Sequence, residues 1–206
     1  AQPDIGMTAL MCLVWFGQFF LAGLPMVVTA ALPLLAIIGM VAAYYSFPHF
    51  ASRVDRFISD SGDTYQTDKA LEAFTNGGLF GTGPGAGTVK MKIPDVHADF
   101  IFAVAGEELG MIGALAIVLL FTFIILRGIW KIRLETNLFI LLAVAGLLIQ
   151  FGVQVAINLG STLHLIPAKG MTLPFISYGG SSLWSMAISM GLLLGLTKKR
   201  YGLADI

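Results

Sequence analysis

Charged residues are scarce in this sequence. Asp, Glu, Lys and Arg make up only 12% of its 206 residues, whereas hydrophobic residues make up 57%. Soluble domains carry about 25% charged residues, and their cores do not require so large an apolar fraction. The composition therefore excludes an ordinary soluble domain and predicts an integral membrane protein.

The sequence also has no excess of basic charge and no second cysteine. Twelve basic residues balance twelve acidic ones, which excludes nucleic acid as a partner. Cys12 alone cannot form an internal disulfide, so the compartment must be inferred from topology. The chain opens on Ala1, without Met or a basic leader, and we expect it to be a piece of a longer protein.

Long apolar runs are abundant instead. A helix needs about 20 apolar residues to cross a membrane, and five segments qualify, at about 5–23, 25–47, 100–126, 137–159 and 175–197. We therefore predict an all-α integral membrane protein in which residues 1–206 form a single transmembrane domain with about five transmembrane helices. A long, partly helical loop, 48–99, connects the second span to the third, and its residues 67–76 are typical of a short amphipathic helix.

Basic residues near the span ends predict the orientation, because cytoplasmic flanks are enriched in Lys and Arg. They cluster after the third span and near the C-terminal end: Arg127, Lys131, Arg133, Lys198, Lys199 and Arg200. Two spans separate these clusters, so both lie on one side, which is predicted to be cytoplasmic. The loop 48–99 is then extracytoplasmic.

Six glycines lie between Gly77 and Gly87. This segment is not a phosphate-binding P-loop, because no Gly-Lys-Ser/Thr follows at the required spacing. We interpret it as a tightly turning loop. Contact with a substrate is the alternative, and Lys90 and Lys92, which follow directly, could then meet an anion.

Three carboxylates lie at the start of the third span. Asp99 is at its outer mouth beside His97, where it can cap the helix or act as a functional carboxylate. Glu107 and Glu108 lie about 12–14 Å further along the helix axis. Ionisable groups at such a depth are costly, so we expect them to bond to neighbouring helices as structural support, or to face a cavity.

Polar residues also interrupt the last two spans. Gln150, Gln154 and Asn158 recur every four residues and form one stripe, suited to interhelical hydrogen bonds or to lining a groove.

The segment Pro167–Ser182 has two prolines and three glycines, and irregular backbone at membrane depth is either covered by protein or lines a cavity. Together with Lys169, these features indicate a membrane enzyme or transporter that acts on an amphiphilic anion in an outward groove.

Four blocks carry a family resemblance: "QPDIG" at 2–6, "GLFGTGPG" at 78–85, "HADFIFAVAGEELG" at 97–110 and "KGMTLPFISYGGSS" at 169–182. In this order they resemble the SEDS family of bacterial shape, elongation, division and sporulation proteins, which comprises FtsW, RodA and SpoVE. The forms "AKGMTLP" and "GDTYQTDKALEAF" are more similar to the FtsW branch. The resemblance implies a ten-span protein of which this chain carries the last five spans.

The resemblance further implies a peptidoglycan glycosyltransferase. Such an enzyme polymerises lipid II, an undecaprenyl-diphosphate-linked disaccharide peptide, at the outer face of the cytoplasmic (inner) membrane during cell division. Its implied partners are a class B penicillin-binding transpeptidase and other division proteins at the septum, besides membrane lipid. Asp99 matches the family's catalytic acid, although Ala98 replaces a Thr of the pattern. Other residues expected to contact the substrate are Lys90, Lys92, His97, Gln154, Asn158, Lys169, Ser177 and Ser181.

One carboxylate suits an inverting transfer. Polyprenyl diphosphate is a good leaving group, so the acceptor hydroxyl needs a general base, here Asp99, whereas glycoside hydrolysis typically uses two carboxylates. Lysines, arginines or a divalent cation such as Mg²⁺ or Mn²⁺ would stabilise the diphosphate, and no protein metal site is predicted. The alternatives are a lipid II flippase or transporter and a non-catalytic division scaffold.

Overall fold

The computed structural model describes residues 5–58, 65–166 and 170–198. All regular elements in these ranges are helical, which confirms the predicted all-α class. The predictions for Lys169, Lys199 and Arg200 concern residues outside the described ranges.

Five apolar helices occupy the segments for which spans are predicted. They are α1 (Ile5–Leu21), α2 (Met26–Ser46), α5 (Ile101–Ile132), α6 (Leu138–Thr162) and α7 (Gly180–Leu196). Of the described helices, α5 and α6 are long and apolar enough to cross a membrane by length and composition. These features fit a helical membrane protein, while the crossing of all five helices stays a prediction. The central helix is α6, which contacts α1, α4, α5 and α7.

The connection between α2 and α5 contains further helices. The helix predicted at 67–76 is present as α4 (Tyr65–Gly77), and a short 3₁₀ helix follows at Val89–Lys92. An additional helix, α3 (Pro48–Ile58), begins directly after α2. The hydroxyl of Tyr44 on α2 donates to Asp55 Oδ1 on α3 at 2.7 Å, so a hydrogen bond links the two helices across the bend at Phe47.

Helix α5 is interrupted at Gly110, whose backbone is not helical (φ 69°, ψ −173°). The part beyond the break, Met111–Ile132, is about 33 Å long at 1.5 Å per residue, which is sufficient to cross a membrane. Glu107 and Glu108 therefore lie in the short first segment of α5, Ile101–Leu109, and not within the long apolar segment. This position explains how two adjacent carboxylates are tolerated in an otherwise apolar helix.

Two apolar cores meet near the start of α5. The outer core joins α4, the 3₁₀ helix and the beginning of α5, and includes Ala73, Ile93 and Phe100. The inner core joins α5, α6 and α7 and includes Phe102 and Phe151. The turn that carries Asp99 lies where these two cores meet.

Candidate functional site

The glycine-rich segment from Gly77 to Gly87 is packed against the break in α5. The carbonyl of Glu107 accepts from Thr82 N at 2.9 Å, and the carbonyl of Glu108 accepts from Gly83 N at 3.1 Å. Beyond the break, Met111 N donates to the Gly78 carbonyl at 2.9 Å. The loop thus supplies the partners that an interrupted helix would otherwise lack, and the prediction of a tightly turning loop is confirmed.

Glu107 is fully buried and anchors this loop by its side chain. Its Oε1 accepts from Asn76 Nδ2, Thr88 N and Val89 N, each at 2.8 Å, and its Oε2 accepts from Lys90 N at 2.9 Å. Four donors surround one carboxylate, an arrangement of strong charge-assisted hydrogen bonds. The geometry is that of a structural support.

Glu108 differs from Glu107 because it forms an ion pair with the ammonium of Lys90. Both side chains are largely covered, with 13% of the Lys90 side chain and 16% of the Glu108 side chain exposed. Lys90 is therefore already paired, whereas Lys92 is exposed and lies within 4 Å of no carboxylate in the described ranges. Of the two lysines, Lys92 is the more available to an anion.

Asp99 lies on a turn that follows the 3₁₀ helix. Asp99 N donates to the Asp95 carbonyl at 3.1 Å, and the Asp99 side chain is partly buried. Burial raises the pKa of the Asp99 carboxyl, and the nearby negative charge of Asp95 raises it further. A carboxyl with a raised pKa is a better proton acceptor near neutral pH than an ordinary aspartate.

A non-helical segment that precedes α7 passes beside the Asp99 carboxyl. A β-carbon at Gly170 would lie 3.2 Å from Asp99 Oδ2, and Gly170 has a positive φ of 59°. A glycine at this position allows the backbone both to turn and to approach the carboxyl.

Two residues of the polar stripe of α6, Gln154 and Asn158, face inward and bind backbone carbonyls. Asn158 Nδ2 donates to the carbonyls of Asp99 at 2.9 Å and Met171 at 2.6 Å, and Gln154 Nε2 donates to the Thr172 carbonyl at 3.0 Å. Both side chains are buried, Asn158 with 1% exposed. Among the hydrogen bonds of the described residues, none uses Asn158 Oδ1.

A groove of about 620 Å³ opens beside this turn. Its lining includes His97, Ser177, Tyr178, Gly179 and Gly180. Tyr178 N donates to the His97 carbonyl at 2.9 Å and so joins the two walls. Asp99 itself is two residues from His97 in the chain but does not line the groove.

The two candidate serines occupy different places near this groove. The hydroxyl of Ser177 accepts from Leu173 N at 2.7 Å and closes a turn, while Ser181 is exposed in the first turn of α7. The helix begins at Gly180 rather than at 175, because Pro174 and Phe175 belong to this turn, in which Phe175 has a positive φ of 63°.

The sequence predicted no role in the candidate site for Asn76 or Thr172. Asn76 donates to Glu107, and Thr172 Oγ1 lies 2.6 Å from Ser182 Oγ. Asn76 lies in the predicted helix at 67–76 and Thr172 in the block at 169–182, but neither pattern indicates these contacts, which follow only from the folded geometry. In the described part of the chain no group of three or more His, Cys, Asp or Glu side chains could hold a metal ion. No step of the reaction is assigned to a divalent cation.

Comparison with known proteins identifies the family of this chain. A family model described as "Cell cycle protein", covering FtsW, RodA and SpoVE, matches residues 1–202. The Caulobacter vibrioides protein named "Probable peptidoglycan glycosyltransferase FtsW" is 44% identical over 98% of this chain and 52% of its own length. The Bacillus subtilis protein named "Stage V sporulation protein E" is 36% identical over 96% of this chain and 55% of its own. This chain thus spans about half the length of the curated relatives it matches.

Two solved structures have a similar fold. The first is a chain from a structure described as "Structural coordination of polymerization and crosslinking by a peptidoglycan synthase complex". It has a TM-score of 0.78 and 28% identity, and the match covers 98% of this chain and 57% of that one. The Thermus thermophilus protein RodA, in mutant form, has a TM-score of 0.61 and 27% identity, covering 97% of this chain and 52% of itself. The chain therefore belongs to the FtsW/RodA/SpoVE family and, by these identities, is more similar to the Caulobacter FtsW than to SpoVE or RodA.

Proposed function

We propose that the protein containing this chain is a peptidoglycan glycosyltransferase that polymerises lipid II, with Asp99 as its general base. The observation that carries the proposal is a partly buried carboxyl of raised pKa on the turn beside an open groove. The names of its relatives, which include peptidoglycan glycosyltransferase, support the same chemistry.

The reaction needs one proton acceptor in this arrangement. The hydroxyl oxygen of the acceptor sugar attacks the anomeric carbon of the donor, and its proton passes to the Asp99 carboxylate. The bond between that carbon and the polyprenyl diphosphate breaks, and the diphosphate leaves with the electron pair. Attack from the face opposite the leaving group inverts the configuration.

The N-terminal end of α7 is suited to bind the diphosphate group of the donor. The helix begins at Gly180 without a side-chain cap, and Gly179, Gly180 and Leu183 line the groove. Uncapped N–H groups at a helix N-terminus attract anions. Ser181 and the exposed Lys92 are the described side chains that we propose as further contacts, and Lys169 is proposed from the sequence alone.

The buried amides disfavour the flippase alternative. A flippase needs a polar path that continues to the cytoplasmic side, but Gln154 and Asn158 are buried and bonded to backbone carbonyls.

We further propose that the reaction occurs at the outer face of the cytoplasmic membrane, at the septum, together with a class B penicillin-binding transpeptidase. The structural relative described as part of a peptidoglycan synthase complex supports such a partner.

Lipid II polymerisation by the full-length protein with its transpeptidase tests the base. Asp99→Asn keeps the shape of the side chain but cannot accept the proton, so turnover should fall about 10²–10⁴-fold. Thermal stability and copurification of the transpeptidase should not change. Asp95→Asn is the matched control and should remain active at neutral pH. Near wild-type polymerisation by Asp99→Asn would refute the proposed mechanism.

A further inference from the structure

Asn158 connects two parts of the candidate site that are 72 residues apart in the chain. Its Nδ2 donates to the carbonyl of Asp99 at 2.9 Å and to the carbonyl of Met171 at 2.6 Å. Both partners are acceptors, so only the NH₂ end of the amide can face them. The orientation of this side chain is therefore fixed by its surroundings.

The second partner lies next to the residue that flanks the carboxyl. Met171 follows Gly170, where a β-carbon would be 3.2 Å from Asp99 Oδ2. One side chain thus holds the backbone of Asp99 and the segment that covers its carboxyl at a fixed separation. One turn away on α6, Gln154 binds the Thr172 carbonyl at 3.0 Å and fixes the same segment a second time.

The described residues satisfy only the NH₂ end of the Asn158 amide. The side chain is 99% buried, and its Oδ1 has no hydrogen-bond partner among the described residues. A buried acceptor without a partner costs free energy, which offsets part of what the two Nδ2 bonds contribute. Besides their contribution to stability, the two bonds position residues 99 and 171 relative to each other.

We propose that Asn158 is a positioning residue. Its two hydrogen bonds fix where the Asp99 carboxyl lies and keep the backbone at Gly170 beside that carboxyl. This inference rests on the proposed role of Asp99 as general base. Asn158 acts through the backbone of residues 99 and 171 and does not itself exchange a proton with the substrate.

Loss of the two bonds should affect turnover more than substrate binding. A base displaced by about 1 Å can lose up to about 10²-fold in rate, so Asn158→Ala should lower kcat about 10- to 100-fold with little change in KM for lipid II. The released turn should also expose Asp99 and shift the acidic limb of the pH profile to lower pH. Asn158→Asp keeps the volume but replaces the donor by an acceptor, so it should not restore kcat.

Gln150→Ala is the matched control. Gln150 belongs to the same stripe, two turns from Asn158, and binds neither segment in the described structure. This variant should keep the wild-type kcat and pH profile. Thermal unfolding and copurification with the transpeptidase should be measured for all variants, and Asn158→Ser, which keeps one donor, replaces the alanine variant if the latter does not fold.

The outcomes separate this inference from the function on which it rests. Activity of Asp99→Asn would refute the base itself. An inactive Asp99→Asn together with an Asn158→Ala variant that keeps both kcat and the pH profile would refute only the positioning role. A fall in kcat with unchanged KM and a shifted acidic limb would support it.

Discussion

Gly81 lies against the carbonyl oxygen of Glu108, so closely that a β-carbon at position 81 would overlap that oxygen. Its φ of +82° is also in the left-handed region. Gly85 has nearly the same φ, +80°, but nothing lies within 4 Å of its would-be β-carbon. The two glycines therefore separate the cost of backbone strain from the cost of losing the contact with α5.

Alanine substitutions at these two positions should differ in their effect on stability. Gly85→Ala should lower the free energy of unfolding by about 1–2 kcal/mol, the cost of a left-handed conformation for a residue with a β-carbon. Gly81→Ala should cost about 2 kcal/mol more, because the loop must move and lose the bonds from Thr82 and Gly83. Thermal unfolding in detergent measures both, and equal losses would show that the loop is not fixed by the break in α5.

Glu107→Gln should destabilise the protein without altering the chemistry. In the glutamine variant, an NH₂ group would replace one carboxylate oxygen and face an N–H donor. This change leaves a buried group unsatisfied and removes the negative charge, so the free energy of unfolding should fall by about 2–4 kcal/mol. Glu108→Gln leaves the largely covered Lys90 ammonium without its charged partner and should also destabilise the protein, by about 3 kcal/mol. Unfolding measurements compare the two, and kcat should stay near wild type for both at temperatures where they are folded. A selective fall in kcat for Glu107→Gln would instead give this carboxylate a role in the reaction.

The pH dependence of polymerisation should report the raised pKa of Asp99. Below its pKa the carboxyl is protonated and cannot act as a base, so activity should rise with pH through a value above the ordinary 3.8. Asp95→Asn removes a negative charge that raises this pKa, so the acidic limb of kcat/KM should move to lower pH. Asn suits position 95 because Asp95 has a φ of 50°, which Asn tolerates.

Asp68→Asn is the control for this measurement. Asp68 is exposed on α4 and does not contribute to the pKa shift of Asp99, so its substitution should leave the acidic limb in place. Identical profiles for wild type and Asp95→Asn would contradict an Asp99 base.

Thiol labelling tests the predicted orientation. Met91 and Leu134 are 80% and 82% exposed, the first in the loop before α5 and the second in the turn between α5 and α6. In a Cys12→Ser background, Met91→Cys should react with a membrane-impermeant reagent on intact spheroplasts. Leu134→Cys should react only after permeabilisation, and the reverse pattern would invert the topology.

The sequence predicted those features that depend on composition and local periodicity. Apolar runs and the pattern of residues 67–76 each reflect a single helix, so α4 and the all-α class could be inferred directly. Helix α3 was missed because the segment after Phe47 was treated as part of a polar loop. Its apolar residues recur at helical spacing, as at Phe50 and Val54, so the signal was present.

The break at Gly110 could not be inferred in the same way. An isolated glycine within an apolar helix is tolerated, and the residues that make a break possible lie in a loop about 30 positions earlier. The same is true of Asn158, whose role depends on two carbonyls from distant segments. The stripe predicted an inward face, but only the fold shows which groups it binds.

Because of the break at Gly110, the two segments of α5 do not form one continuous helix. Spanning helices tilt as bilayer thickness changes, and in a continuous helix the first segment Ile101–Leu109 would act as a rigid lever of about 13 Å. A tilt of 10° would then displace its end, where Asp99 lies, by about 2 Å, enough to disturb proton transfer. Because the chain breaks at Gly110 and Ile101–Leu109 packs on α4, we expect a tilt of the long segment to displace the Asp99 carboxyl by less than this amount.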